Sequence, residues 1–453
     1  MGKRLRFLVK TAGVALIGFS LMGADAGTDR PAASSASQEE QTAEDGLVCP
    51  RETVKLPMNA KTSLDALFQY EPYLYYEFAN PKLARVTSQG IAIPLAKGTT
   101  QVEVTASGYE RETASCSFRL QIVDPVKFKS ASAPKTESGQ TKLNGRKAYV
   151  NTIVLPQGMP AGLGLGKDAL GNAEAMKAIV TRRQASYAIN GTYFAAYNDE
   201  VPLPYGTLVK DGELLFNTGS IGTIVSFAAD GTARLDEASP SIAGGFDGLY
   251  DSQRRWSASY VNRRAGSGTT IYTPDYGARI GTDKGVMIVV SGGKVIRVAK
   301  GENAKIPRDG YVIVNQRESM AELKEMFKVG RKVHYRVTYS NAEGRLVRWN
   351  DVVTAVQAWP KLIEGGKVVE KDGADAKRAA RSGIGITKDG RVVMVTTGSA
   401  THGEVAELLR AKGAVDAMGL DGGASAGIYS QGVQLFTPGR NLSNVLLFGP
   451  DLR

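Results

Sequence analysis

Residue types and spacing in this 453-residue chain best suit chemistry at Leu420-Asp421-Gly422-Gly423-Ala424-Ser425. The apolar residues Val415, Ala417, Met418 and Leu420 run into Asp421, so a strand would hold its carboxylate at the mouth of a cleft. The glycines let a ligand approach the backbone, and successive amide N–H groups can converge on an anion such as phosphate. The same letters also spell an ordinary hairpin turn. A second element, Asn190-Gly191-Thr192-Tyr193-Phe194, offers an amide that donates and accepts at once, which suits sugar hydroxyls; a turn asparagine serving nearby backbone is the plainer reading. The third, Ala380-Arg381-Ser382-Gly383-Ile384-Gly385-Ile386, brings an arginine into a glycine-spaced strand, and guanidinium meets phosphate oxygens with two parallel N–H bonds. The fourth, Pro438-Gly439-Arg440-Asn441-Leu442-Ser443-Asn444-Val445, places another arginine and asparagine before a closing apolar strand. His334 and His402 stand apart, and no His, Cys and carboxylate cluster has metal-ligand spacing. No cofactor is expected, and a divalent cation on Asp421 stays open.

Strands and a few helices must position these groups. Asp211-Gly212, Gly292-Gly293, Asp309-Gly310, Gly365-Gly366 and Asp389-Gly390 each sit between apolar, β-branched runs and read as hairpin turns. Asn172–Arg183 reads as a helix with Ala175, Met176, Ile179 and Val180 on one face, leading into a strand that ends at Asn190. A second helix begins at Thr401, where Thr401 and Glu404 can form a capping box. Val405, Leu408 and Leu409 make its buried stripe and Gly413 its stop. The fold expected for 127–453 is therefore a mixed α+β domain, β-sheets with a few packed helices.

The N-terminal part differs in character. Lys3, Arg4, Arg6 and Lys10 precede an apolar run from Thr11 to Gly23 and an Ala24-Asp25-Ala26 cleavage site, so residues 1–26 read as an export signal; an uncleaved anchor is the alternative. Residues 27–46 are polar and aperiodic, a flexible tether. Residues 47–125 hold short strand-like segments, Thr53–Leu56, Tyr73–Phe78, Gly90–Pro94, Thr100–Ala106 and Cys116–Val123, spaced as in a small all-β sandwich. The stretch from Gly90 to Val104 resembles the bacterial immunoglobulin-like modules of surface and secreted proteins, which space or bind rather than catalyse. Cys49 and Cys116 are the two cysteines of the chain. In an oxidising compartment they could staple this module, or they could stay as buried thiols, and both lie far from the motifs, which argues against cysteine nucleophile chemistry.

Composition narrows the class further. With 42% hydrophobic residues and 52 glycines the chain is neither disordered nor all-helical. No stretch after the leader approaches the roughly 20 apolar residues of a membrane helix. Removing residues 1–26 takes away four basic residues and Asp25, so the formal charge moves from +11 to +8. For an exported protein, secreted or held at the envelope, that charge suits anionic cell-wall polymers better than nucleic acid, or simply a solvated basic surface.

The ordered set of motifs is more specific than any member. Asn190-Gly191-Thr192-Tyr193-Phe194, Pro204-Tyr205-Gly206, Arg381-Ser382-Gly383, Leu420-Asp421-Gly422-Gly423-Ala424-Ser425 and Gly439-Arg440-Asn441, in this order, resemble the phosphodiester glycosidase family. That family contains the enzyme that uncovers mannose 6-phosphate by removing N-acetylglucosamine from a phosphodiester. Tyr260–Arg264, Ile271–Gly277 and Ile306–Val312 look like its connecting strands, so the resemblance spans 127–453. It implies Asp421, Arg381 and Asn190 as catalytic residues and Gly422, Gly423, Ser425, Arg440, Asn441 and Thr192 as substrate-binding ones. Asp421 would be base for water or stabiliser of a sugar cation, the arginines would clamp phosphate, Asn190 would hold the sugar, and Ser425 with the glycine amides would complete the anion site. The chain departs from the family where Thr396-Thr397-Gly398 replaces an Asp-Gly, where Gly419 replaces an Asn, and at Ala424 and Ala380. The implied activity is hydrolysis of a sugar-1-phosphodiester. The alternatives are an enzyme for another envelope glycan linkage, glycosidase or transferase, and a non-catalytic polysaccharide-binding or exopolysaccharide assembly protein.

Overall fold

The computed structural model describes residues 47–452, except 69–72, 108–112, 130–131, 198–200, 251–254, 265, 267, 348 and 371–375. The expected leader and tether, 1–26 and 27–46, lie outside the described residues.

Two small sheets form the N-terminal part, one of four strands (Val54–Pro57, Ala114–Val123, Gly98–Ala106, Leu74–Phe78) and one of three (Thr62–Ser63, Ile91–Pro94, Ala84–Val86). They enclose a core of Leu56, Leu74, Val102, Val104, Phe118 and Leu120, inward residues of their strands, together with Leu64. Cys49 and Cys116 are joined in a disulfide. The two strands missing from the sequence reading, Thr62–Ser63 and Ala84–Val86, are too short to show alternation. This part packs directly on the remainder: Asp65 pairs with Arg336, which is 5% exposed, and Glu213 accepts from the Ser88 backbone and hydroxyl at 3.1 and 2.6 Å.

The remainder is mostly β with few helices, in line with the expectation of β-sheets and a few packed helices. Among the described residues the α-helices are short: α1 (Met176–Arg182), α2 (Met320–Met326) and α3 (His402–Ala411). Three sheets converge below the candidate site. A seven-stranded sheet runs in the order Lys367–Val368, Lys361–Glu364, Ala414–Gly419, Ala379–Thr387, Val392–Ala400, Arg146–Leu155, Lys135–Leu143. A five-stranded sheet runs Ala161–Leu165, Asn444–Phe448, Tyr187–Asn190, Ile428–Ser430, Val433–Phe436. The third, of eight strands, contributes Val225, Phe227 and Val356 to a shared core, where they meet Ile153, Ile384, Met418 and Leu420 from the first and Ile189, Ile428 and Phe448 from the second. The eight-stranded sheet also packs on a further five-stranded sheet through Ile224, Ile271, Ile288 and Val337.

Local chemistry explains much of this. Thr401 caps α3 and both bonds of the capping box to Glu404 are made, while Gly413 ends the turn at φ +90°. Val405 and Leu409 are buried, as is Ala406, whereas Leu408 is half-buried. α3 lies on Gly383 of the Arg381 strand, where a Cβ would stand 2.9 Å from Val405 Cγ1. Asp211-Gly212, Gly292-Gly293 and Gly365-Gly366 have two successive positive φ angles, the geometry of tight hairpins. Asp309-Gly310 does not make such a turn: Gly310 already belongs to the strand Gly310–Asn315, pairs with Ser291, and leaves no room for a Cβ beside Val290 O.

Candidate active site around Asp421

The Asp421 loop lies where the chain leaves one sheet for another. Its incoming strand, Ala414–Gly419, belongs to the seven-stranded sheet and its outgoing strand, Ile428–Ser430, to the five-stranded one. Backbone bonds hold it to both: Leu420 N–H donates to Ser382 O at 2.9 Å, and Asp421 N–H donates to Gly191 O at 3.1 Å. Three of the sequence motifs thereby meet at one place, and the fourth joins them where Gly191 N–H donates to Asn444 O at 3.1 Å.

Asn190 fastens this junction. Its side-chain amide donates to Asp421 O at 2.7 Å and accepts from Gly427 N–H at 3.0 Å, so one buried residue grips both ends of the loop. The resemblance implies that Asn190 holds a sugar; the structure gives its amide these two backbone partners, which position Asp421. Asn444, outside the residues singled out in the sequence, braces the Asn190 motif in the same way. Its Oδ1 accepts from Thr192 N–H at 2.8 Å and its Nδ2 donates to Thr192 O at 3.3 Å. Gly191 must be glycine here, because a Cβ would stand 1.9 Å from Asn444 Oδ1. The Thr192 hydroxyl is buried without a partner among the described residues.

The electrostatics centre on the Asp421 carboxylate. Burial pushes its pKa up to about 6, against hydrogen bonds from the Ser425 hydroxyl and Gly422 N–H and the charge of Arg440, all of which favour the ionised form. Gly422 and Ser425, read in the sequence as parts of an anion site, therefore orient the carboxylate itself. Gly423, at φ +60°, is exposed, and nothing lies within 4 Å of where its Cβ would be.

Arg381 approaches from the neighbouring strand and packs on Gly422, where a Cβ would stand 3.3 Å from Arg381 Nη1. Its Nη2 donates to Lys377 O at 3.0 Å, while its buried Nε has no partner among the described residues. Directly across the strand pair stands Thr397, fully buried, with its hydroxyl also unpartnered among the described residues. Arg440 donates to the Tyr197 hydroxyl at 2.7 Å and lies over that ring at 4.5 Å. Asn441 is exposed beside it.

Tyr193, Tyr197 and Trp359 join the site without having been selected from the sequence. Burial pushes the Tyr193 hydroxyl up to about 12, with the Asp421 charge adding to the rise and that of Arg381 opposing it, so this hydroxyl feels both groups. The signal for Tyr193 was its place in the Asn190 motif; nothing local marks Trp359. Among the described residues no three His, Cys, Asp or Glu gather as a metal site, and no helix is long and apolar enough to cross a membrane.

Two of the solved structures that align with this chain share its fold. A hypothetical protein of Synechocystis aligns with a TM-score of 0.57 and 20% identity, covering 84% of this chain and 82% of its own. A Burkholderia pseudomallei protein described as a candidate exported protein aligns at 0.54 and 16%, covering 83% and 97%. The zebrafish N-acetylglucosamine-1-phosphodiester alpha-N-acetylglucosaminidase catalytic domain, auto-inhibited by its pro-peptide, aligns at 0.39 and 12%, covering 78% and 89%. No curated protein matches the chain. The phosphodiester glycosidase family model matches residues 284–449, a span that takes in Arg381, Thr397, Asp421 and Arg440 and leaves out Asn190. By that match, residues 284–449 of this chain carry a domain of the phosphodiester glycosidase family.

Proposed function

We propose that this chain is an exported hydrolase that cleaves a sugar-1-phosphodiester, such as an α-N-acetylglucosaminyl phosphodiester, in cell-envelope or extracellular glycan. The family match supports glycosidase-type activity. The observation that carries the finer reading is a half-buried carboxylate with a pKa of about 6, fixed by Ser425 and Gly422 and acted on by Arg440, with Arg381 packed on the next residue of its loop. A group of that pKa is ionised at neutral pH yet basic enough to take a proton.

In this reading ionised Asp421 accepts a proton from water as its oxygen bonds to the sugar C1. The C1–O bond breaks with its electron pair going to the departing phosphomonoester. Such a leaving group needs little protonation, so fixed cations do more for it than an acid would, and Arg381 and Arg440 supply them. Asn190 acts as a positioning residue through the loop backbone. The basic charge, the export-signal reading of residues 1–26 and the immunoglobulin-like reading of residues 47–125 support a place at an anionic envelope.

Thr397 favours a second reading. A buried, unpartnered hydroxyl opposite Arg381, in place of a second carboxylate, suits a polysaccharide-binding protein that retains the cleft without turnover. Hydrolysis of an aryl-phospho-N-acetylglucosaminide by the wild type and by Asp421→Asn decides between them. The hydrolase reading expects sugar and aryl phosphate from the wild type and at least about a hundredfold less from the variant. Equal turnover removes Asp421 from the mechanism, and polymer binding with no turnover by either protein establishes the second reading.

A further inference from the structure

We propose that the exposed face of Trp359 is a platform for a pyranose ring of the ligand, so that the sugar lies on the Trp359 side of Asp421 and the phosphate on the Arg381 side. This rests on the glycan reading of the site and adds the direction in which the ligand lies.

The sheet order sets the geometry. The strand that delivers Asp421, Ala414–Gly419, has the Arg381 strand on one side and Lys361–Glu364 on the other, and Trp359-Pro360 leads directly into the latter. Trp359 and Arg381 thus flank the carboxylate strand from opposite sides. Gly419 N–H donates to Pro360 O at 2.8 Å, and a Cβ at Gly419 would stand 3.0 Å from Pro360 Cδ, so the platform is tied closely to the carboxylate strand.

The indole is held as well as exposed. Its ring lies on Tyr193 with centroids 4.2 Å apart and planes 14° from parallel, and the Tyr193 hydroxyl donates to Trp359 O at 3.0 Å. Tyr193 in turn feels Asp421 and Arg381. A lone exposed aromatic needs no explanation. Trp359 is 46% exposed, with one face stacked on a residue of the candidate site, so the indole offers apolar surface next to the strand that delivers Asp421. The axial C–H face of a pyranose is a matching apolar surface, and stacking the two removes both from water while leaving the sugar hydroxyls free at the ring edge.

The other two tryptophans are buried, Trp256 at 7% and Trp349 at 2% exposed, so acrylamide quenching of the whole protein reports chiefly on Trp359. The probes are methyl α-N-acetylglucosaminide, N-acetylglucosamine 1-phosphate and inorganic phosphate. Both sugars should shield Trp359 from acrylamide, and phosphate alone should not. Calorimetry should find the sugar phosphate bound about three- to tenfold more weakly by Trp359→Ala, with Trp359→Phe between and inorganic phosphate unchanged. Thermal melting checks that the variants fold. Sugar phosphate that binds without shielding Trp359, equal affinity in Trp359→Ala, or failure of either sugar to bind overturns the platform. If the sugars bind and shield Trp359 while no phosphodiester is hydrolysed, the platform stands and the hydrolase reading falls.

Discussion

Replacing Asp421 by asparagine removes the one titrating proton of the loop while keeping its shape, and the structure gives opposite signs for activity and stability. Folding raises the carboxyl from its ordinary 3.8 to about 6, because burial outweighs the Ser425 and Gly422 hydrogen bonds and the Arg440 charge. The folded state therefore holds the proton more tightly than the unfolded one. The stability this lends is full below pH 3.8 and is lost as pH rises through 6. Above that window the ionised carboxylate costs about 3 kcal/mol relative to its neutral form. Asp421→Asn should escape that cost, so it should be more stable than wild type by up to about 3 kcal/mol at pH 8 and by less than about 1 kcal/mol at pH 4. Turnover should fall by about 10²- to 10⁴-fold. Thermal melts of both proteins between pH 4 and 8, beside turnover of the aryl phosphodiester, read both effects. A variant that melts at or below the wild type throughout, with an unchanged pH profile, would refute the claim that folding strains this carboxylate.

Wild-type turnover should rise with pH around an inflection near 6 if Asp421 is the base, and Arg440→Gln should move that inflection upward, since the arginine favours the ionised form; a falling profile would assign Asp421 as an acid. Asn190→Ala leaves Asp421 O and Gly427 N–H without their partner, so urea unfolding should show a loss of about 2–4 kcal/mol along with most activity. Removing the disulfide by Cys49→Ser with Cys116→Ser opens a bridge with a sequence separation of 67, and melting should show a loss of about 4 kcal/mol with no direct effect on the Asp421 site.

What was legible in the sequence was what short range decides. The α3 capping box lies within four residues, Thr401 to Glu404. The hairpins at Asp211-Gly212, Gly292-Gly293 and Gly365-Gly366 follow from local φ preferences, and the N-terminal strands from alternation along the chain. The motifs at Asn190, Arg381, Asp421 and Arg440 were visible as letters, and their order carried the family resemblance that the match over residues 284–449 supports. Their roles were not visible. Whether the Asn190 amide faces a ligand or the backbone of a loop 231 residues away depends on which strands pair, and strand pairing is decided by burial of whole faces rather than by any residue's neighbours. Trp359 is the plainest case: it gains its place beside Asp421 because Lys361–Glu364 pairs with Ala414–Gly419, over 50 residues further on. The sequence by itself determined that Asp421 ends an apolar strand in a glycine loop. Only the tertiary structure decided that this loop bridges two sheets, where burial raises its carboxylate and brings an asparagine, two arginines and an exposed indole around it.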